Sequence, residues 1–356
     1  MVSLCLVTSA LRPAPPARRR PPVPPADPRR SAQIQPPVAR TTYRHGRPVR
    51  RRRRPGRGLA LLLVLAVGLV GYTQVEGLPS LGGAPATAPP STPDPQVDWP
   101  VQGQAAYTTS AIDGVRTSGS DAPQPIASVT KLMTAYVVLQ ELPLEAGEQG
   151  PSIPVTGADV ADTERRRSEG ESTVPVAAGK DLTELEALQA LLLPSANNVA
   201  VILARETAGS VEEFVELMND TADDLGMDDT SYADPAGMSD GSASTAADQV
   251  VLLDAAMEEP VLAAVLGTYS ADLPVAGTVT TTDALLGQHG IVGGKTGSHD
   301  GAGGCFAYRA VLDVDGQPVT VTAVVLGQRD GPYIQAALTA AERLLLSVAG
   351  STDVRA

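Results

Sequence analysis

The chain has 356 residues, with 27 basic and 40 acidic side chains and a formal net charge of −13. That length allows one or two domains, and the acidic balance excludes nucleic acid as a partner, because binding it needs a basic footprint. Three histidines and two cysteines, Cys5 and Cys305, show no metal-ligand spacing, so neither a metal nor another cofactor is implied.

The charge is divided along the chain. Residues 1–57 hold fifteen arginines, no lysine and one acid, Asp27, whereas the remainder holds twelve basic and 39 acidic side chains. The basic segment is rich in Pro, Arg and Ala and lacks apolar periodicity, which predicts a disordered tail. Residues 58–75 follow with an apolar run, Leu59 to Val70, that reaches 17 residues if carried on to Val75. This is the short edge of the roughly 17–25 residues needed to cross a bilayer. Arg47, Arg50 to Arg54 and Arg57 stand directly before it. The positive-inside rule therefore predicts a single-pass signal anchor in the cell membrane, with a cytoplasmic tail and everything after Val75 outside. The alternative is a cleaved signal peptide and a secreted protein, but the nearest small-x-small sequence, Ala84-Pro85-Ala86, is well downstream. An uncleaved anchor would put Cys5 and Cys305 on opposite sides of the membrane, leaving Cys305 as a small buried residue. Residues 76–100 carry seven prolines among Gly, Ala, Ser and Thr and read as a semi-rigid spacer. Residues 101–350 are the expected folded domain, long enough for a sizeable core.

Within it, Ala105–Thr109 and Val115–Thr117 around Asp113-Gly114 predict a β-hairpin. From Ser128, Leu132, Ala135, Tyr136 and Leu139 fall on one helical face. Leu185, Leu188, Leu191 and Leu192 repeat that pattern over 183–193, and Pro194 halts it. Helices are predicted over 199–206 and over 211–225, the latter ended by Gly226. Thr245-x-x-Asp248 predicts a capping box before a further helix through Val250, Val251, Leu253 and Ala256. Strands are expected at Leu273–Thr282, Ile291–Thr296, Phe306–Val314 and Val319–Leu326, the last two flanking Asp315-Gly316, and an amphipathic helix covers 334–348. Strands, a helical block, strands and a terminal helix make an α+β layout whose first and last strands share one antiparallel sheet.

Three short motifs carry chemistry. Only Lys131, Lys180 and Lys295 are lysines, although arginine is abundant. Arginine serves most cationic roles but does not give up its proton, so the two lysines inside motifs point to a dissociable amine. Ser128-x-x-Lys131 places both side chains on one helical face; a serine alcohol needs an adjacent base, and a lysine supplies one when burial or a nearby cation depresses its pKa. Ser195-Ala196-Asn197 is expected on a tight turn after Pro194, where Ser195 can relay a proton and Asn197 can bond a substrate amide. Lys295-Thr296-Gly297, followed by Ser298, reads as a strand whose glycine lets another backbone approach. A peptide can add to its edge, Lys295 and Thr296 can hold a carboxylate, and the N–H groups of Ser128 and Ser298 can form an oxyanion hole. Taken singly, each motif has a plain alternative: a solvated lysine, an N-cap serine, a glycine-rich turn.

The ordered set resembles the signature of penicillin-binding proteins and class A β-lactamases, and most nearly the serine-type D-Ala-D-Ala carboxypeptidases. Ala127–Ala135 resembles their nucleophile helix, Pro194–Asn198 their second element and Gly294–Ser298 their third. Leu225-Gly226-Met227 and Tyr232–Gly237 are similar to a further family segment. The resemblance implies a β-lactamase/transpeptidase-like fold, with an antiparallel sheet flanked by terminal helices beside a helical subdomain. It implies an acyl-enzyme on Ser128, Lys131 as base and Ser195 as proton shuttle. Asn197, Lys295, Thr296, Gly297 and Ser298 would position a peptidoglycan stem peptide ending in D-Ala-D-Ala, and β-lactams would acylate Ser128. Two departures stand out: Asn198 occupies a position where relatives often carry Asp, and Arg329 is the one nearby candidate for an additional carboxylate-binding arginine. A class A β-lactamase would need a Glu-x-x-Leu-Asn element, and no Leu-Asn dipeptide occurs. A non-catalytic peptidoglycan or β-lactam sensor of the same fold is the other alternative.

Overall fold

The computed structural model describes residues 97–355. The tail, anchor and most of the spacer expected at residues 1–96 lie outside the described residues. Among the described residues, no helix is long and apolar enough to cross a membrane.

The main sheet has five antiparallel strands: β1 (Gln104–Thr109), β2 (Arg116–Ser118), β3 (Ile291–His299), β4 (Gly303–Val314) and β5 (Gln317–Gln328), in the order β2-β1-β5-β4-β3. The predicted sharing of one sheet by the first and last strands is observed: β1 pairs with β5, from Gln104 opposite Leu326 to Thr109 opposite Val321. The hairpin of β1 and β2 is wider than the Asp-Gly turn suggests, because pairing stops at Tyr107 opposite Arg116 and leaves 110–115 as loop. The β4–β5 hairpin turns at Asp315-Gly316 as expected; Asp315 has φ 53° and Gly316 φ 81°.

Side chains alternate across the sheet. Ala105, Tyr107, Phe306, Tyr308, Val321, Ala323 and Val325 face the terminal helix, Tyr333–Gly350, and form one core with Ala337, Ala341, Leu344 and Val348. Ala106, Ala307, Val324 and Leu326 face the other way, into a larger core shared with the helical block. That block comprises α1 (Lys131–Glu141), α2 (Gly157–Ser168), α3 (Glu184–Leu192), α4 (Asn197–Ala208), α5 (Val211–Leu225), α6 (Ala246–Glu258) and α7 (Pro260–Leu266); the terminal helix is α8. Cys305 is a free, buried residue of the larger core, as expected.

Four elements differ from the sequence expectation. Helix α2 is not marked by apolar spacing. Its apolar face is thin and its stability comes from its ends: Thr156 and Asp159 form a reciprocal capping box, and Arg165, Arg166 and Arg167 lie in the last turn, where cations favour the negative end of the helix dipole. Helix α7 is short and opens on Pro260, a residue suited to a first helical turn. The strand expected at 273–282 is a small hairpin, Ser270–Leu273 with Gly277–Thr280. At α6 only half of the predicted capping box forms: Thr245 Oγ1 accepts from Asp248 N, while the Asp248 carboxylate accepts from Thr230 and Asp229 N instead.

Candidate active site

The site lies where the start of α1 meets the edge strand β3. One turn of 3-10 helix, Ala127–Thr130, precedes α1 and carries Ser128. Gly297 permits this contact: a Cβ there would stand 2.7 Å from Ser128 N and 2.9 Å from Val129 N. A side chain on β3 would therefore push the nucleophile turn off the sheet.

Lys131 is fully buried and its amine has three partners: Ser128 Oγ at 2.8 Å, Asn197 Oδ1 at 2.7 Å and the Ala236 carbonyl at 2.8 Å. Burial, and secondly the positive charge of Lys295, hold its pKa well below the ordinary lysine range, against the opposing pull of Asp234 and Glu171. The three contacts define what the neutral amine does. Its two N–H groups donate to the two fixed acceptors, Asn197 Oδ1 and Ala236 O. The lone pair then faces Ser128 Oγ and can accept the serine proton.

The Ala236 carbonyl is presented by a tightly turned segment. Asp234 Oδ1 accepts from the N–H of Ala236, Gly237 and Met238, at 2.8, 2.6 and 3.1 Å, and Asp234 Oδ2 from Ser239 N and Ser242 Oγ. Thr134 Oγ1, one turn beyond Lys131 on α1, donates to Pro235 O at 2.6 Å.

Ser195 occupies the link between α3 and α4 with φ 63°. It is not an N-cap: Ala196 holds that position and makes no side-chain cap bond, and α4 begins at Asn197 itself, two residues earlier than the spacing suggests. Lys295 is 1 % exposed, and its Nζ donates to Ser195 Oγ at 3.1 Å and to Thr296 O at 2.7 Å. Burial lowers Lys295 to about 7, with Asp283 acting in the opposite direction. The Thr296 and Thr282 hydroxyls share a hydrogen bond of 2.6 Å, and Thr282 N donates to Leu193 O, so residues 281–283 tie β3 to the α3–α4 link.

Ser128 and Asn197 are thus hydrogen-bonded around Lys131, and Ser195 and Thr296 around Lys295, with Gly297 against the Ser128 turn and Ser298 next on β3. Asn197 also has partners within the protein. Its Nδ2 donates to Glu171 Oε2 at 2.8 Å while Oδ1 serves Lys131, so both ends of the amide are engaged within the protein. Asn198 is buried, accepting from Val174 N and donating to Val174 O and Thr163 Oγ1. Its double donation needs an amide, which explains why Asn stands there. Arg329 donates to the Asp300 and Gly301 carbonyls and lies over the Tyr333 ring, an arrangement that braces the β3–β4 turn. Sequence reasoning missed Glu171, Arg166 and Asp283. The capping-box spacing Thr156-x-x-Asp159 was the available signal for the first two, because it starts the helix that ends beside them.

A serine backed by a buried lysine amine, at the edge of an antiparallel sheet flanked by helices, defines the serine–lysine class of acyl-transfer proteins. Residues 113–330 match the family model described as D-alanyl-D-alanine carboxypeptidase (Peptidase_S11), and the chain belongs to that family of serine peptidases. It is 33 % identical over 184 residues to a D-alanyl-D-alanine endopeptidase of Pseudomonas aeruginosa, covering 50 % of this chain and 56 % of the relative. It is 36 % identical over 181 residues to the D-alanyl-D-alanine carboxypeptidase DacB2 of Mycobacterium tuberculosis, covering 49 % and 57 %. The chain therefore spans little more than half the length of these curated relatives. Among solved structures, a Streptomyces DD-transpeptidase superposes with a TM-score of 0.60 at 24 % identity, covering 70 % of this chain and 98 % of that one; at this identity the likeness is one of fold.

Proposed function

We propose that the domain is a D,D-carboxypeptidase that removes the terminal D-alanine of peptidoglycan stem peptides. The observation that carries the reading is the 2.8 Å contact between the buried Lys131 amine and Ser128 Oγ. Lys131 takes the Ser128 proton as Oγ attacks the carbonyl carbon of the penultimate D-alanine. The oxyanion is held by the N–H groups of Ser128 and Ser298. The peptide bond breaks, Ser195 relays to the leaving amine the proton that Lys131 took up, and free D-alanine departs from an acyl-enzyme on Ser128. Water then attacks the ester, restoring the serine and releasing the shortened peptide. The substrate backbone adds to the β3 edge, Gly297 keeps the Ser128 turn seated against that strand, and Lys295 with Thr296 faces the terminal carboxylate. A β-lactam enters the same route and acylates Ser128. The apolar run Leu59–Val70, carried on to Val75, supports placing this domain outside the cell membrane on an N-terminal anchor.

Labelling with a fluorescent penicillin tests the acyl-enzyme. Covalent label on the wild type and none on Ser128→Ala is expected; an unlabelled, folded wild type would falsify it. Release of D-alanine from a peptide ending in D-Ala-D-Ala then separates an enzyme from a sensor, and rapid turnover of the penicillin adduct would identify a lactamase. The endopeptidase name of the Pseudomonas relative favours a second reading, cleavage of cross-links. The two readings differ in whether the leaving amine belongs to a terminal D-alanine or to the cross-linking side chain of a second stem peptide, so a cross-linked muropeptide dimer as substrate distinguishes them.

Lys295 sets the pH range of the carboxypeptidase reading. With its pKa lowered to about 7 by burial, the amine is charged below that pH and neutral above it in the free enzyme. Carboxylate affinity is therefore full below about pH 7 and falls as pH rises through it; KM for the D-Ala-D-Ala peptide should rise by about tenfold per unit beyond. A KM that is flat between pH 6 and 9 would remove Lys295 from carboxylate recognition.

A further inference from the structure

Asn197 presents a question of direction. An amide side chain has an oxygen at one end and an NH2 at the other, and the neutral Lys131 amine works as a base only while the oxygen faces it. Were the amide turned over, Nδ2 would donate into the lone pair that must accept the Ser128 proton. Nothing in Asn197 itself fixes the choice. The fixing group is the Glu171 carboxylate, an acceptor only, whose Oε2 takes the Nδ2 hydrogen at 2.8 Å and so commits Oδ1 to Lys131.

Glu171 is itself held. The same Oε2 accepts from Arg166 Nη1 at 2.8 Å, and Arg166 Nε donates to Asp162 Oδ2 at 2.6 Å. The Glu171 backbone N–H returns to Arg166 O at 3.0 Å. The side chains of Glu171 and Arg166 are 10 % and 14 % exposed, so solvent competes little for these bonds. A continuous line runs from Asp162 through Arg166, Glu171, Asn197 and Lys131 to Ser128.

We propose that Glu171, braced by Arg166, is a positioning residue for the acylation step, holding the Asn197 amide in the one orientation that leaves the Lys131 lone pair free for Ser128. The proposal rests on the reading of Lys131 as base. Glu171 also acts through its charge. The charged groups around Lys131 are Lys295 on β3, Asp234 on the segment behind Ala236, and Glu171 with Arg166 at the end of α2; Lys295 and Arg166 favour the neutral amine, Asp234 and Glu171 the charged one.

Two substitutions separate orientation from charge. Glu171→Ala removes the acceptor, and the penicillin acylation rate at neutral pH is expected to fall about 10–100-fold, as when the partner that orients a metal-ligating side chain is lost. Glu171→Gln keeps an oxygen for Nδ2 and Arg166 and should restore most of that loss. Having lost the charge, Glu171→Gln should also move the acid limb of the acylation–pH profile to lower pH. A purely structural role would lower the melting temperature of both variants without moving that limb. The scarcity of lysine supplies a readout independent of catalysis. A protein labelled at lysine Cε gives three NMR resonances, from Lys131, Lys180 and Lys295, and the Lys131 titration should shift down in Glu171→Gln while Lys180 stays. Wild-type acylation in Glu171→Ala, or an unmoved Lys131 titration in Glu171→Gln, overturns the proposal. A wild type that takes no penicillin label defeats the acyl-enzyme reading instead, and the Lys131 titration still decides whether Glu171 acts on that amine.

Discussion

Lys131→Arg is expected to abolish acylation of Ser128, although the positive charge is kept. General-base assistance contributes about 10²–10⁴-fold to rate, and an arginine forfeits all of it because it stays protonated under any working condition. The geometry sharpens the expectation. Lys131 has no solvent exposure and three partners within 2.8 Å, so the planar, wider guanidinium has no room to turn aside. It would donate to Ser128 Oγ where the lysine lone pair accepts, pinning the hydroxyl proton in place. The measurement is the second-order rate of penicillin acylation, followed by intact mass. A Lys131→Arg protein that acylates within about tenfold of wild type, a loss smaller than the whole general-base range, would show that another group takes the serine proton.

Gly237→Ala should be the most damaging single methyl in the site. Gly237 has φ 75°, and a Cβ there would fall on the Ala127 carbonyl oxygen, well inside van der Waals contact. The left-handed backbone costs a non-glycine residue about 1–3 kcal/mol, and forcing atoms into a filled space adds about 1–3 kcal/mol. Relief requires that either the 3-10 turn bearing Ser128 or the Ala236 carbonyl move, and each is a fixed point of the Lys131 geometry. Both the melting temperature and the acylation rate should therefore drop, the former by roughly 2–4 °C for each kcal/mol in a domain of this size. Gly316→Ala is the control: its φ is 81°, yet nothing lies within 4 Å of the added Cβ, so it carries the backbone strain without the collision. Equal losses in the two variants would show that the contact with Ala127 has no consequence.

Much of this is legible in the sequence, for identifiable reasons. The main strands read as short apolar runs because the sheet is buried on both faces, and α3 and α5 carry their buried residues at helical spacing, so hydrophobic pattern marks them. The motif residues are legible because the chemistry needs particular side chains in a particular order. What spacing does not convey is partnership across long separations: Lys131 meets Asn197 and Ala236 from 66 and 105 positions away. Asn197 reads as a substrate-binding amide, and the spacing does not convey that Glu171 takes one of its N–H groups. Helix α2 escapes because its stability comes from capping and charge rather than from an apolar face, and Glu171 and Arg166 escape with it. Asp283, buried and pushed up to about 6 chiefly by that burial, follows a segment that reads as plain strand.

The pairing of β1 with β5 has a consequence for how the chain acquires its structure. β1 ends at Thr109 and its partner does not begin until Gln317. During synthesis or threading, β1 has only the three-residue β2 to pair with until nearly the whole domain has emerged. Contacts that close so long a loop slow folding, and an edge left waiting in this way is a site for unwanted strand pairing. The helical block can gather its own core in the meantime, but a chain stopped short of Gln317 has no central strand: β1 and β4 would each present an open edge where β5 should lie between them. The last strand to arrive is the one that makes the sheet continuous.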